Sequence, residues 1–343
     1  MAKTRILYID MMNLFIRNFA SLPFTNDQGE HVGALFGCLN SYCSLIKKFE
    51  PDMVLVAWEG KDSSKRRRDL MPGYKGGRKF HGFNKSVFGD DVEAETKALT
   101  NQLTRLKQYI TNLPFYQASV DYLEADDLIG YSVEHLFNDD ENFQNIIVSY
   151  DRDYIQLVGK GTALFRPVKS KDYPKGQFCT EGTVIEEMGC HPRNYLIMKC
   201  IVGDTSDAIN GISRVGEKTV AKDFECLQAL KNGTDIYTTE DIFDICDYKL
   251  AEDPKKNKKY GKYLEHRKLI ERNYELMQLL DPNISITSVQ AIERTFTNFL
   301  PKFKSTQFRL MLVKDSIAPR NITSWVDALT NIHPKSISFE QGD

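Results

Sequence analysis

The stretch Asp121-Tyr122-Leu123-Glu124-Ala125-Asp126-Asp127 places three acids, Glu124, Asp126 and Asp127, directly ahead of an amphipathic run. Leu128, Ile129, Val133, Leu136 and Phe137 recur at helical spacing, which predicts a helix from Asp126 or Asp127 to about Phe137. Acids suit a helix start, because the free N–H groups and the dipole there favour negative charge. A cap needs only one, and three so close together repel one another. A charged helix start is the plain reading of the stretch taken alone; the excess of acid is what a divalent cation would offset.

Other acids keep it company. Asp10 follows the run Ile6-Leu7-Tyr8-Ile9, Glu59 follows Val54-Leu55-Val56-Ala57-Trp58, and Asp151 and Asp153 follow Ile146-Ile147-Val148-Ser149. Short apolar, β-prone runs are how buried strands of a parallel sheet read. Open α/β sheets bind ligands at the carboxyl ends of their strands, so three strands are expected to deliver acids to one edge. Asp204 and Asp207, in Gly203-Asp204-Thr205-Ser206-Asp207, add a further pair. These nine carboxylates cannot all converge, buried and ionised, without cations. Hard oxygen ligands select magnesium or manganese, not zinc.

Composition sets the outer limits. A chain of 343 residues, 41% hydrophobic and 27% charged, suits a soluble protein of one large domain or two ordinary ones. No apolar run approaches the roughly 20 residues of a membrane span, and no signal-peptide pattern opens the chain. Seven cysteines, an odd number without a Cys-x-x-Cys pair, argue for reduced thiols in a cytosol. Cys38, Cys43, Cys200 and Cys226 sit in apolar surroundings and are expected to pack. The net charge of −2 hides segregation, since bases collect in Lys65-Arg66-Arg67-Arg68, in 74–79 and in 255–268. A negative pocket flanked by positive tracts suits a phosphodiester substrate, whose backbone the bases hold while metals take one phosphate.

In order along the chain, residues 5–60 read as strand, helix, strand, with the helix over Gly33–Phe49. Residues 61–96 turn basic and glycine-rich, with Tyr74, Phe80 and Phe83 interleaved, which suits a segment that grips a strand by phosphate contact and base stacking. Ala163–Arg166 and Gln177–Cys179 read as paired strands, after which helices dominate. Residues 209–221 read as helix, glycine-bearing hairpin, helix. There Gly216 allows close approach to a phosphate and Lys218 adds charge. The basic run 253–268 reads equally as a solvated face and as a DNA contact, and Leu269–Leu280 as a helix. The expected partition is an α/β core over 1–180, with the basic segment at about 61–96. A helical region over 181–343 would then carry the hairpin at about 196–225.

These motifs resemble the structure-specific 5′-nucleases: phage 5′→3′ exonucleases, the 5′-nuclease domain of bacterial DNA polymerase I, and flap endonucleases. The residues that carry the resemblance are Asp10, Tyr74-Lys75-Gly76-Gly77-Arg78, Glu124-Ala125-Asp126-Asp127, Ser149–Leu157 and Gly203–Asp207 with its hairpin. Within that family the chain looks most like the stand-alone phage ribonuclease H type, by Arg66-Arg67-Arg68-Asp69 and the length of its C-terminal part. The resemblance implies an α/β fold: a central, mostly parallel sheet flanked by helices, a helical arch, and a helix–three-turn–helix DNA-binding element. It implies that Asp10, Glu124, Asp126, Asp127, Asp151, Asp153, Asp204 and Asp207 coordinate two Mg²⁺ ions, for which Mn²⁺ would substitute. Glu59 joins them where an Asp is usual, and Arg214 stands where a glycine is common. Lys75 and Arg78 would contact the scissile phosphate, while Arg67, Tyr74, Lys79, Gly211, Arg214, Gly216, Lys218 and Thr219 would hold nucleic acid.

The implied activity is Mg²⁺-dependent cleavage of DNA or RNA–DNA duplexes near a 5′ end, flap or nick, as in RNA-primer removal during replication and repair. A monomer is expected, with a single-strand-binding protein or clamp as further partners and no membrane. Two other readings compete: a DNA-structure-binding protein with a degenerate pocket, and a small toxin-like (PIN-like) endoribonuclease. The first would gain nothing from so many repelling carboxylates, and the second would lack the basic segment and the hairpin.

Overall fold

The computed structural model describes residues 3–78, 80–168, 171–317, 322–335, 337 and 339. The chain begins with β1 (Thr4–Asp10), α1 (Met11–Ser21), α2 (Gly33–Phe49) and β2 (Met53–Trp58). There follow α3 (Lys65–Leu70), α4 (Lys85–Phe88), α5 (Val92–Ile110), β3 (Tyr116–Ser119), α6 (Ala125–Tyr131) and β4 (Phe143–Val148). Next come β5 (Thr162–Arg166), β6 (Gln177–Cys179), α7 (Glu181–Met188), α8 (Tyr195–Val202), β7 (Gly203–Asp204), β8 (Ile209–Asn210) and α9 (Glu217–Asp223). The remaining helices are α10 (Thr239–Glu252), α11 (Gly261–Glu265), α12 (Arg267–Met277), α13 (Ile286–Thr297), α14 (Ser305–Lys314) and α15 (Ile322–Thr330). Two compact units divide them: Met1–Ser63 with Lys79–Tyr150 and Ile284–Asp343, and Ser64–Arg78 with Asp151–Asn283.

The first unit is built on parallel strands in the order β3-β2-β1-β4. Every residue of β2 is buried, as are Ile6 to Ile9 of β1, which is why these strands read as unbroken apolar runs. Each fully buried Val, Leu or Ile stabilises the unit by about 1.5–3 kcal/mol relative to exposure. Helix α2 spans the residues expected, and its apolar stripe packs on α1 and α15. The helix expected from 126 begins at Ala125 and loosens into a π-helical turn over Ser132–Leu136, where the Ser132 hydroxyl donates to the Leu128 carbonyl at 2.8 Å.

The partition at residue 180 is not where the units divide. Phe296 of α13 packs its ring on Tyr116 and Phe137 (centroids 5.2 and 5.0 Å), and Asp315 accepts from Arg105 and Tyr109 at 2.8 Å. The C-terminal helices therefore complete the first unit.

The second unit holds the antiparallel pair β5–β6 and a cluster of helices centred on α8 and α12. Fully buried Asn273 donates from Nδ2 to the carbonyls of Cys200 and Asn210, both at 2.9 Å, and so ties the end of α8 to the hairpin. Residues 209–210 are not helical as expected; they pair antiparallel with Gly203–Asp204. That turn needs glycine at both ends. A Cβ on Gly211 would lie 1.9 Å from the Val202 carbonyl oxygen, and Gly203 has φ +80°.

Residues 61–96 form no continuous arch helix. Among the described residues they form α3, turns over 72–77, the single-turn α4 and the first residues of α5, and Pro72, Gly73, Gly76 and Gly77 interrupt any longer helix between α3 and α4.

Candidate active site

In the first unit the acids sit where parallel strands end. Asp10 closes β1 and is 9% exposed. It caps α1 by accepting from the Asn13 N–H (3.1 Å) and takes the Ser149 hydroxyl at 3.3 Å. Glu59 directly follows β2, whose Ala57 is in register with Asp10. The loop after it is stitched to the loop before α6: the Gly60 N–H donates to the Leu123 carbonyl (3.0 Å) and the Tyr122 N–H to that of Lys61 (2.8 Å). Gly60 must be glycine, since a Cβ there would lie 1.8 Å from the Val120 oxygen.

Helix α6 then opens with a capping box. Glu124 and Asp127, each 1% exposed, cap it reciprocally, the Glu124 N–H donating to Asp127 Oδ2 at 3.3 Å. Asp126 Oδ1 also accepts the Asp127 N–H at 2.7 Å, so all three acids of the opening stretch serve the helix start, where one cap would suffice.

In the second unit Asp151 and Asp153 share a tight loop, the Asp153 N–H donating to Asp151 Oδ1 at 3.0 Å. Asp153 begins a 3₁₀ turn pinned by buried Gln156, whose side chain bonds the Met277 carbonyl (3.1 Å) and the Leu279 N–H (2.8 Å). Burial and then neighbouring Asp151 push the Asp153 carboxyl up to about 7, against the pull of Lys199. The Lys199 ammonium, 8% exposed on α8, ion-pairs with both Asp153 and Asp204. Burial opposes the Lys199 charge, but the two carboxylates outweigh it and raise its pKa. Burial likewise works against the Asp204 charge, yet Lys199 and the Ser206 hydroxyl and N–H (2.6 and 2.8 Å) hold its carboxyl below the usual range.

Asp207 ion-pairs with Arg78, and its carbonyl accepts the Lys75 N–H at 3.0 Å. Lys75 itself has φ +55°, an αL conformation sparsely used by a non-glycine residue.

Each unit thus gathers part of the expected set. Among the described residues, no three such side chains stand close enough to enclose a cation as placed. In the second unit Lys199 pairs with Asp153 and Asp204, and Arg78 with Asp207. The donor set still fits a hard divalent ion. It is all carboxylate, it includes acids only 1% exposed, and Lys199 and Arg78 already stand as positive charge beside the second group.

Several expected nucleic-acid contacts are corrected. Arg67 is 2% exposed and donates from Nε to the Leu276 carbonyl at 2.9 Å, so its guanidinium braces α3 against the end of α12. Tyr74 is 3% exposed and cannot stack on a base; its ring lies under Arg67. Lys79 lies outside the described residues. Arg214, Gly216, Lys218 and Thr219 are exposed on the hairpin and Gly211 is half-buried at its start. Arg214 takes the φ of +63° that explains why glycine is common there, and open space faces Gly216.

Three roles escaped the sequence. Lys199 was signalled only as the lone cation of an apolar helix. Arg152 reaches from the acid loop to Glu217 at the start of α9 (2.9 and 3.0 Å), and the Tyr195 hydroxyl joins them at 3.2 Å. No local pattern marks that link.

Comparison with known proteins matches residues 5–189 to the family described as 5′-3′ exonuclease, N-terminal resolvase-like domain. DNA polymerase I of Lactococcus lactis subsp. cremoris is 30% identical over 236 residues, 67% of this chain and 25% of the polymerase. That of Streptococcus pneumoniae strain R6 is 30% identical over 229 residues, 65% of this chain and 24% of the polymerase. The chain therefore spans about a quarter of the length of these relatives.

Among solved structures, the bacteriophage T5 flap endonuclease in a pseudo-enzyme–product complex with DNA and metal ions aligns with TM-score 0.57 at 17% identity. That alignment covers 92% of this chain and 100% of the phage protein. T5 5′-exonuclease with bound zinc aligns at 0.55 and 17% identity, covering 95% of this chain and 99% of the other. At that identity the likeness establishes the fold.

Proposed function

This chain belongs to the 5′-3′ exonuclease family through its N-terminal resolvase-like domain, and from that premise we propose that it hydrolyses phosphodiester bonds near a 5′ end, flap or nick. Its substrates are DNA or RNA–DNA duplexes, and RNA-primer removal in replication or repair is the corresponding role. The observation that carries this reading is the placement of Asp10 and Glu59 at the carboxyl ends of adjacent parallel strands, with the acidic start of α6 stitched beside Glu59.

Asp10, Glu59, Glu124, Asp126 and Asp127 would hold one Mg²⁺, and Asp151, Asp153, Asp204 and Asp207 a second, with Mn²⁺ able to substitute. Bound ions of this kind acidify a water for in-line attack and stabilise the leaving oxygen. The chain's own residues do the rest. The capping box and the Asp10 cap fix carboxylate directions before any ion arrives. Arg78 exchanges its Asp207 partner for a phosphoryl oxygen, and Lys75 adds positive charge beside it, offsetting charge that develops there. Arg214, Lys218 and the hairpin backbone hold the duplex by its phosphates, so selection is by shape and not by sequence.

Cleavage of a 5′-labelled flap duplex with Mg²⁺, Ca²⁺ or EDTA tests the reading. Release of short products or of the whole flap only with Mg²⁺ is expected. Asp151→Asn should lower the rate by more than about a hundredfold while flap binding in Ca²⁺ persists. Equal loss of binding and cleavage would sink the assignment of Asp151, and tight binding without cleavage under every condition would leave a structure-specific binder.

A further inference from the structure

The run Lys255–Lys262, which in sequence could be a solvated linker, is built onto the phosphate-binding hairpin. Tyr260 and Tyr263 are 6% and 2% exposed and pack edge-on against Phe224, with ring centroids 5.8 and 4.9 Å apart. Both hydroxyls converge on the last residue of α9: Tyr260 donates to the Asp223 carbonyl (2.9 Å) and Tyr263 to Asp223 Oδ2 (2.6 Å), while Lys259 ion-pairs with Asp223 Oδ1 at 2.5 Å. The turn before them is equally fixed. Asp253 Oδ1 accepts the N–H groups of Lys255 and Lys256, both at 3.1 Å, and Asn257 Nδ2 bonds the Lys249 carbonyl at 2.7 Å. At the far end, the Lys262 ammonium donates to the Ser213 carbonyl at 2.5 Å, one residue before Arg214.

We propose that Lys255, Lys256, Lys258 and Lys262 form a second backbone-binding surface for duplex nucleic acid, continuous with the hairpin that carries Arg214 and Lys218. Among the described residues none of these six side chains makes an ion pair. A solvated face ordinarily interleaves both signs at three- and four-residue spacing, and the nearby acids divide differently here. Asp223 is occupied by Lys259 and the tyrosine, and Asp253 by backbone N–H groups; Glu252 and Glu265 are exposed at the margins. Like charges held on a rigid scaffold repel one another, and a partner with regularly spaced negative charge relieves that repulsion. A duplex backbone carries one such charge per about 1.7 Å of axis.

The proposal rests on the nuclease reading for its partner, and the test separates the two. Lys255→Gln/Lys256→Gln/Lys258→Gln changes three exposed residues, and Lys302→Gln/Lys304→Gln/Lys314→Gln removes the same charge from exposed residues of the other unit. Binding of two flap duplexes of unrelated sequence is measured by fluorescence anisotropy in Ca²⁺ from about 50 to 200 mM salt. The first variant should reduce the slope of log affinity against log salt by about 2 to 3, equally for both sequences, and the control should leave it unchanged. Wild-type binding with a slope in the first variant equal to that of the control overturns the proposal while the nuclease reading stands. Failure of the wild-type protein to bind either duplex overturns both. Lysine-dependent binding to anionic vesicles with duplex binding untouched would assign the surface to another partner and overturn the proposal alone.

Discussion

Asp10 and Asp127 take hydrogen bonds from backbone N–H groups at the helix starts they cap, whereas Asp153, Asp204 and Asp207 are met by the ammonium of Lys199 and the guanidinium of Arg78. The two groups use one residue type and two kinds of preorganisation. A cap cannot change partner without opening its helix, so the first unit presents fixed directions. An ion pair can hand its carboxylate to an arriving cation, and its cation to an arriving phosphate, so the second unit presents exchangeable charge.

The largest effect that would break this contrast is at Lys199. Lys199→Met leaves two largely buried carboxylates without their shared cation, and should cost about 3–5 kcal/mol in urea unfolding with EDTA present. Added Mg²⁺ should restore more stability to this variant than to the wild-type protein, since an ion then replaces the missing charge. A cost below about 1 kcal/mol would mean that Lys199 does not balance the acids.

Asp127→Ala probes the other side. It removes half of a capping box and should cost about 1 kcal/mol under the same conditions. A loss as large as that of Lys199→Met would erase the distinction between the two groups.

The smallest effect is expected at the hairpin. Arg214→Gly relieves a left-handed backbone and should raise stability by up to about 1 kcal/mol in the same unfolding assay, while lowering the salt slope of duplex binding by about 1. Lower stability would show that the Arg214 side chain, and not its backbone, decides the local structure.

Much of the scaffold was legible. Strands β1, β2 and β4 read as apolar runs because they are buried on both faces over most of their length, whereas edge strand β3, Tyr116-Gln117-Ala118-Ser119, is polar and partly exposed and was not read; α2 read to the residue because one stripe of it is buried, and Asp10 and Glu59 followed from where such runs stop. The helical arch was implied by the resemblance alone and is not confirmed; the broken backbone of 72–77 is what its proline and glycines already read as in sequence. Arg67 and Tyr74 read as substrate contacts because bases and aromatics in a glycine-rich stretch ordinarily face solvent. Burial of Arg67 requires a partner, the Leu276 carbonyl, that lies 209 residues away.

What the sequence determined by itself is what local physics dictates: which runs become strands, which stripes become helices, and which acids stand at their ends. What the tertiary structure alone decided is which charges meet. Lys199 between Asp153 and Asp204, Arg152 on Glu217, and Lys262 on the Ser213 carbonyl all join residues on different elements. Nothing in spacing or periodicity encodes such pairings, because they exist only once packing has brought the elements together.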